Sequence, residues 1–129
     1  MDERQIKVLF IDDEPDFSQI VAFRLRSKGY IVHYARNGQE GIELIKKENP
    51  DIVFMDLKMP VMDGIETLKK VREFDKDLPV VMISAYVNDQ KFQEARDYGF
   101  SGVFYKGKDI EESILLLESA IRTHRKTKK

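Results

Sequence analysis

The sequence of 129 residues contains no cysteine, which excludes disulfide bonds, zinc–thiolate sites and catalysis by a thiol. Its longest apolar runs are too short to span a membrane, and no basic segment leads into an apolar run as in a signal peptide. These absences favour a cytoplasmic protein. A strong net charge is missing as well, because 22 basic side chains nearly balance 23 acidic ones. Bulk charge therefore argues against a general nucleic-acid binder.

Five short apolar runs, several rich in valine and isoleucine, are expected to form strands. Most of them are continuous rather than alternating, which is typical of strands buried on both faces of a parallel sheet. The predicted strands are Ile6–Ile11, Tyr30–Tyr34, Ile52–Met55, Val80–Ile83 and Val103–Tyr105.

Helical patterns separate these runs. The second helical segment opens with Asn37, and Glu40 follows three residues later in a capping-box-like arrangement. Each segment carries an apolar stripe that we expect to face the core. The stripes are Phe17, Ile20, Val21 and Leu25; Ile42 and Ile45; Ile65, Leu68 and Val71; Phe92 and Ala95; and Ile110, Ile114, Leu117 and Ile121.

Five alternations of strand and helix predict an α/β fold with a parallel sheet covered on both faces. The length fits a flavodoxin-like, doubly wound sheet of five strands in the order 2-1-3-4-5 with five helices. We expect one domain over residues 1–125 and a disordered basic tail over residues 126–129. The basic stretch from Arg122 could attach to nucleic acid or an acidic partner, but a solvated helix end is the favoured interpretation.

Polar residues follow four of the predicted strands at the point where each strand ends. In open parallel sheets, ligands bind beyond the carboxyl ends of the strands, so we expect these side chains to converge. They are Asp12, Asp13 and Glu14 after the first strand, Asp56 after the third, Ser84 after the fourth and Lys106 after the fifth.

The expected cluster suits phosphoryl transfer to a carboxylate. Crowded carboxylates repel one another, and Mg²⁺ with its preference for oxygen ligands relieves that repulsion. A carboxylate such as Asp56 can be the nucleophile that forms an aspartyl phosphate. Lys106 can neutralise charge on the phosphoryl oxygens, and the Ser84 hydroxyl can donate a hydrogen bond to one of them. Each residue alone also has an ordinary structural explanation as a cap, turn or surface side chain.

The segment after the third predicted strand resembles a known family. Val53-Phe54-Met55-Asp56-Leu57-Lys58-Met59-Pro60-Val61-Met62-Asp63-Gly64 is similar to the phosphoacceptor strand and following loop of the receiver domain of two-component response regulators. The Asp12-Asp13 pair, Ser84-Ala85 and Lys106 resemble the other site residues of that family. The resemblance extends from Val8 to about Ile121.

This resemblance implies a set of roles. Asp56 would be the phosphoacceptor, Asp13 would bind Mg²⁺ directly, and Asp12 would act mainly through water. The backbone carbonyl of Lys58 would be a further metal ligand, and Ser84 and Lys106 would contact the phosphoryl oxygens. Lys58 and Tyr86 lie two residues beyond Asp56 and Ser84, so we expect them near the mouth of the site. They either modulate the lifetime of the phosphoryl group or are simply exposed loop side chains.

The resemblance also implies partners and an output. The donor would be a phosphohistidine on a sensor histidine kinase or a histidine phosphotransfer protein. The chain would catalyse its own phosphorylation and slow dephosphorylation, as a phosphoacceptor regulator rather than a turnover enzyme. Phosphorylation would alter a surface that contacts a downstream protein or a fused output domain.

Two positions depart from the family pattern. Gly107 follows Lys106 where the family usually has a proline joined by a cis bond, so we expect a trans bond or a reshaped loop. Val103 occupies the position, three residues before the lysine, where the family usually has a rotating Tyr or Phe. Alternation along the strand would point Phe104 away from Val103 and Tyr105. Any output switch is therefore expected to rely on other contacts.

Other classes of function are less well supported by the sequence. Val103 and Gly107 favour a receiver-like interaction module that works without phosphorylation, but the intact set of charged and hydroxyl site residues argues against it. A phosphohydrolase with an aspartyl nucleophile would carry an Asp-x-Asp motif after the first strand, whereas this sequence has Asp12-Asp13-Glu14. No glycine-rich phosphate loop or Walker motif supports a nucleotide binder.

Overall fold

The structure is a computed structural model that describes residues 5–59, 61–84, 90–106 and 109–125. Several residues considered above lie outside the described residues. They are Pro60, Ala85, Tyr86, Gly107, residues 126–129 and the side chain of Phe92.

Strands and helices alternate strictly along the described chain. The strands are β1 (Lys7–Ile11), β2 (Ile31–Ala35), β3 (Ile52–Asp56), β4 (Val80–Ser84) and β5 (Gly102–Tyr105). The helices are α1 (Pro15–Ser27), α2 (Gly38–Glu48), α3 (Gly64–Phe74), α4 (Lys91–Arg96) and α5 (Ile110–His124).

The five strands form one parallel sheet in the order β2-β1-β3-β4-β5. This order confirms the predicted flavodoxin-like fold. Every residue of β3 and β4, two of the three inner strands, is buried, as expected of strands covered on both faces. No helix in the described ranges is long and apolar enough to cross a membrane.

The sheet has one apolar cluster on each face. One cluster joins the sheet to α2, α3 and α4, with Ile45, Leu68 and Ala95 among its members. The other joins it to α1 and α5, where the rings of Phe10 and Phe54 stack with their centroids 5.1 Å apart. The apolar core therefore covers the two faces of a single sheet. The edge formed by the carboxyl ends of the strands, called the carboxyl edge, can then hold polar side chains.

Local signals explain where two of the helices begin. The Asn37 side chain accepts a hydrogen bond from the backbone N–H of Glu40, which confirms the predicted N-cap of α2. The Glu40 carboxylate reaches back to the N–H of Arg36, one residue before the partner in a standard capping box. Asp63 caps α3 in the same way through the N–H of Glu66.

The predicted stripe of α1 is wrong at one position. Ile20 is 50% exposed, whereas Val21 and Leu25 are fully buried. The buried face of α1 instead includes Ser18 and Ala22, which the pattern of large apolar residues does not mark. Small residues occupy this face because it packs closely on the sheet, and Ile20 is rotated away from it.

Candidate functional site

The carboxyl edge of the sheet brings together segments that are distant in sequence. Asp56 ends β3, whose neighbours are β1 and β4. Met55 pairs with Ile11 of β1, so the residues that come next in the two parallel strands, Asp56 and Asp12, lie side by side. Asp56 itself pairs with Ile83 of β4, and Ser84 is the next residue.

Asp12 is held rigidly at this edge. Its side chain is fully buried, and its backbone N–H donates to the carbonyl oxygen of Ala35 at 3.0 Å. Its own carbonyl oxygen accepts from the Tyr34 hydroxyl at 2.7 Å. Carboxylate oxygen Oδ1 accepts from the backbone N–H of Glu14 at 2.9 Å. These contacts fix one carboxylate beside Asp56.

Three carboxylates meet at the site, as the sequence predicts. One carboxylate oxygen from each of Asp12, Asp13 and Asp56 lies within 4.8 Å of the other two. Asp12 and Asp56 are buried, whereas Asp13 is exposed. The group therefore has two recessed carboxylates and one at its open side.

Burial and charge raise the pKa of Asp56 to about 7. Burial in the sheet edge is the largest cause, and the neighbouring Asp12 carboxylate adds to it. The Lys106 ammonium and the backbone N–H of Lys58, which donates to Asp56 Oδ1 at 3.3 Å, oppose the rise. A cation bound beside Asp56 would therefore stabilise the ionised form of its carboxylate.

Lys106 places its ammonium among the carboxylates. Its Nζ lies 3.1 Å from Asp12 Oδ2 and 3.7 Å from Asp56 Oδ2, and it contacts Glu14 Oε1. Burial works to lower the pKa of Lys106, but the contacts with Glu14, Asp12 and Asp56 outweigh it, so the net pKa is raised. The Phe17 ring lies below the ammonium at 5.2 Å. Lys106 therefore stays charged and ready to pair with an anion.

Ser84 and Lys58 flank Asp56 on two sides. Ser84 is 3% exposed, and its carbonyl oxygen accepts from the backbone N–H of Lys106 at 2.9 Å. This bond ties the ends of β4 and β5 together and places the serine beside the lysine. Lys58 follows Asp56 by two residues and has an exposed side chain. Tyr86, the other candidate lifetime residue, lies outside the described residues.

Gly64 lets the loop after Asp56 close tightly on the strand. Its N–H donates to the carbonyl oxygen of Leu57 at 2.9 Å. A Cβ at this position would lie 2.4 Å from the carbonyl oxygen of Asp56 and 2.9 Å from Leu57 Cα. Only a residue without a side chain fits this approach, so Gly64 fixes the backbone that carries Asp56.

The residues before Lys106 alternate between the faces of the sheet, as predicted. Phe104 is buried in the cluster that contains α1 and α5. Val103 is half-buried against the opposite cluster, which contains α3 and α4. Tyr105 pairs in register with Ser84 and is 41% exposed. Position 103, where the family usually has a rotating aromatic residue, thus holds a small branched side chain.

The donor set fits a small, hard divalent cation. Carboxylate oxygens are the ligands that Mg²⁺ prefers, and the exposed Asp13 leaves room for retained waters. Burial and, after it, the Asp12 carboxylate raise the pKa of Asp56, and a cation bound beside it would favour the ionised form. Asp12, Asp13 and Asp56 could hold such an ion together with a bound anion.

Sequence reasoning missed two contacts of Lys106. The sequence pattern marks Glu14 only as a strand-end acid or helix start, and Phe17 only as part of a helical stripe. The place of Glu14 directly after the acidic pair is the one signal in the sequence that it could belong to the site. The contact with Lys106 spans 92 positions of the sequence, so only the fold reveals it.

Comparisons with known proteins agree with this geometry. Residues 8–118 match the family model described as the response regulator receiver domain. Sporulation initiation phosphotransferase F of Bacillus subtilis is 34% identical over 106 residues, which cover 82% of this chain and 86% of that protein. Regulatory protein AtoC of Escherichia coli is 31% identical over 116 residues, which cover 90% of this chain and 25% of that protein.

A solved structure shows the same fold. The chemotaxis protein CheY4 of Vibrio cholerae superposes with a TM-score of 0.81 at 31% identity, over 90% of this chain and 98% of that one. Together, the family match, the relatives and the acidic edge of the sheet show that this chain belongs to the response regulator receiver domain family.

Proposed function

We propose that Asp56 accepts a phosphoryl group from a phosphohistidine and that the resulting aspartyl phosphate controls a signalling interaction. Receiver domains are phosphoacceptor regulators of two-component signalling. For this chain, the observation that carries the proposal is the buried Asp56 at the end of β3, gathered with Asp12 and Asp13 and faced by Lys106. The donor is a sensor histidine kinase or a histidine phosphotransfer protein.

In the proposed step, an Asp56 carboxylate oxygen attacks the phosphorus atom. A P–O bond forms to Asp56, the P–N bond of the phosphohistidine breaks, and the imidazole nitrogen keeps the electron pair. As the phosphoryl group moves onto Asp56, the Lys106 ammonium pairs with one of its oxygens and the Ser84 hydroxyl donates a hydrogen bond to another. In the slow dephosphorylation that the chain itself catalyses, water attacks the same phosphorus atom, the P–O bond to Asp56 breaks, the Asp56 carboxylate keeps the electron pair, and inorganic phosphate leaves.

In the proposed site, Mg²⁺ would be held by the carboxylates of Asp12, Asp13 and Asp56 and by the backbone carbonyl of Lys58. The ion would supply charge neutralisation for the phosphoryl oxygens and for the crowded carboxylates. The exposed Asp13 suits direct ligation. Asp12, whose oxygens already face Glu14 and Lys106, suits a contact through water.

The phosphoryl group would then change a surface that a downstream protein or a fused output domain reads. Val103 supports a switch that does not use the usual rotating aromatic of the family. Lys58 and Tyr86, two residues beyond Asp56 and Ser84, would shield or order the attacking water and so set the lifetime. A phosphorylated structure in which a Tyr or Phe side chain from another position rotates into the place of the usual switch residue would contradict a switch that works without an aromatic.

The same Val103 favours the second candidate function, an interaction module that works without phosphorylation. One experiment separates the two. The protein is incubated with acetyl phosphate and Mg²⁺ and its intact mass is recorded, with Asp56→Asn and a chelator as controls. A single phosphoryl adduct that requires both Asp56 and Mg²⁺ supports the switch. No adduct, even with a cognate phosphohistidine donor, supports the module.

A further inference from the structure

Glu14 is a third carboxylate partner of the Lys106 ammonium, beside the two buried aspartates. Lys106 Nζ donates a hydrogen bond to Glu14 Oε1, and it lies 3.1 Å from Asp12 Oδ2 and 3.7 Å from Asp56 Oδ2. The ammonium side chain is 11% exposed, whereas the side chain of Glu14 is 63% exposed. Glu14 therefore draws the buried cation toward the open mouth of the site.

The position of Glu14 is fixed, but its side chain has no structural task in the helix it precedes. The backbone N–H of Glu14 donates to Asp12 Oδ1 at 2.9 Å, which anchors the residue at the site. Glu14 is the N-cap of α1, and its side chain makes no capping hydrogen bond. Among the described ion pairs, the Glu14 carboxylate contributes only to the one with Lys106.

Charge decides what this contact does. A phosphoryl group on Asp56 carries negative charge that seeks the same ammonium. Glu14 competes with it twice, because it occupies Lys106 and because its own charge repels an incoming anion. Its exposed carboxylate is well solvated once released, so giving up Lys106 costs little.

We propose that Glu14 is a positioning residue that holds Lys106 at the mouth of the site in the unphosphorylated protein and yields it to the phosphoryl oxygens on phosphorylation. Glu14 thereby lowers the affinity of the site for phosphoryl-shaped anions and slows the phosphorylation of Asp56. The inference rests on the proposed function of Asp56, and it adds a residue outside the Asp12, Asp13, Asp56, Ser84 and Lys106 set.

The test uses Glu14→Gln, which removes the charge and keeps the shape. Affinity for beryllium trifluoride, a phosphoryl-shaped anion, is measured with Mg²⁺ present by the shifts of backbone amide NMR signals. We expect Glu14→Gln to bind the anion roughly 3- to 10-fold more tightly than the wild type. The initial rate with subsaturating acetyl phosphate rises by a similar factor. Glu14→Ala is the second variant and changes both in the same direction.

Asp16→Asn is the matched control, because Asp16 is an exposed acid in the first turn of the same helix. It removes the same charge and is expected to change the anion affinity by less than about 2-fold. The decisive comparison is a double-mutant cycle with Lys106→Met. If Glu14 acts mainly by holding Lys106, Glu14→Gln has a clearly smaller effect in the Lys106→Met background, where only the direct repulsion between Glu14 and the anion remains.

Unchanged anion affinity and rate in both Glu14 variants overturn the inference, while a wild-type adduct at Asp56 leaves the proposed function standing. An effect that persists undiminished with Lys106→Met, or that Asp16→Asn reproduces, also overturns it, because the cause is then general charge. A wild type that binds no beryllium trifluoride and forms no adduct overturns the proposed function and this inference together.

Discussion

At the scale of single residues, the proposed phosphoacceptor Asp56 carries a cost in stability. The residue is 7% exposed and lies beside Asp12, so the folded protein without metal holds its carboxylate where ionisation is unfavourable. Such a cost is common at functional carboxylates, because burial and a neighbouring negative charge both raise the pKa and both favour a bound cation.

The pH dependence of stability follows from this raised pKa. The folded-state pKa of about 7 lies above the ordinary value of 3.8, so Asp56 favours the folded state when it is protonated. That advantage is complete below about pH 4 and is lost as the pH rises through about 7. With chelator present, we expect Asp56→Asn to raise the free energy of unfolding by roughly 1–4 kcal/mol at pH 8. Near pH 4 it has little effect.

Urea unfolding of the two proteins at both pH values checks this expectation. Asp16→Asn is the control, since it removes an exposed carboxylate from the neighbouring helix. Equal effects of Asp56→Asn at pH 4 and pH 8 would show that ionisation of Asp56 carries no penalty in the folded protein.

At the scale of elements, the close approach of α3 to β3 positions Asp56, the proposed phosphoacceptor. Gly64 leaves no room for a Cβ against the Asp56 carbonyl oxygen and Leu57 Cα, which are backbone atoms that cannot turn aside. We expect Gly64→Ala to push the start of α3 away from β3 and to destabilise the fold by about 1–3 kcal/mol.

The same change moves the backbone that carries Asp56, so the rate of adduct formation falls even at temperatures where the variant is fully folded. Thermal melting and intact-mass time courses measure the two effects. Glu66→Ala, in the exposed first turn of the same helix, is the matched variant. Wild-type stability and rate in Gly64→Ala would mean that the approach is not as tight as the structure describes.

Helix faces show where pattern reasoning reaches its limit. The apolar runs were enough to predict all five strands, and for β3 and β4 burial on both faces leaves no choice of side. For α1 the apolar residues are spread around the helix, and Ile20 and Phe23 are 50% and 71% exposed. Spacing alone could not decide which of these apolar residues face the core. The small residues Ser18 and Ala22 are buried there, and a pattern of large apolar residues does not mark them.

At the scale of the whole molecule, the strand order gathers the site. Asp12, Asp56, Ser84 and Lys106 could be predicted as neighbours, because each ends a strand of a parallel sheet whose order is limited by topology. The side-chain contacts among them could not. The pairing of Lys106 with Glu14 depends on rotamers and on how β5 is placed against α1, which the order of elements leaves open.

Binding of Mg²⁺ should stabilise the whole domain through the same carboxylates. An ion that binds only the folded state at about 100 times its dissociation constant adds about 2.7 kcal/mol to the free energy of unfolding. We expect a corresponding rise in Tm at pH 8 that a chelator abolishes. Asp13→Asn should reduce the rise, and Asp16→Asn should preserve it. A rise of equal size in Asp13→Asn would place the ion elsewhere.

The position of the phosphoryl group is the central claim, and trapping it tests that claim most directly. After treatment with acetyl phosphate and Mg²⁺, borohydride reduces an aspartyl phosphate to homoserine, and peptide mass spectrometry locates the changed residue. The account predicts homoserine at position 56 alone, dependent on Mg²⁺. Homoserine at position 12 or 13, or none at any position despite an intact-mass adduct, would contradict it.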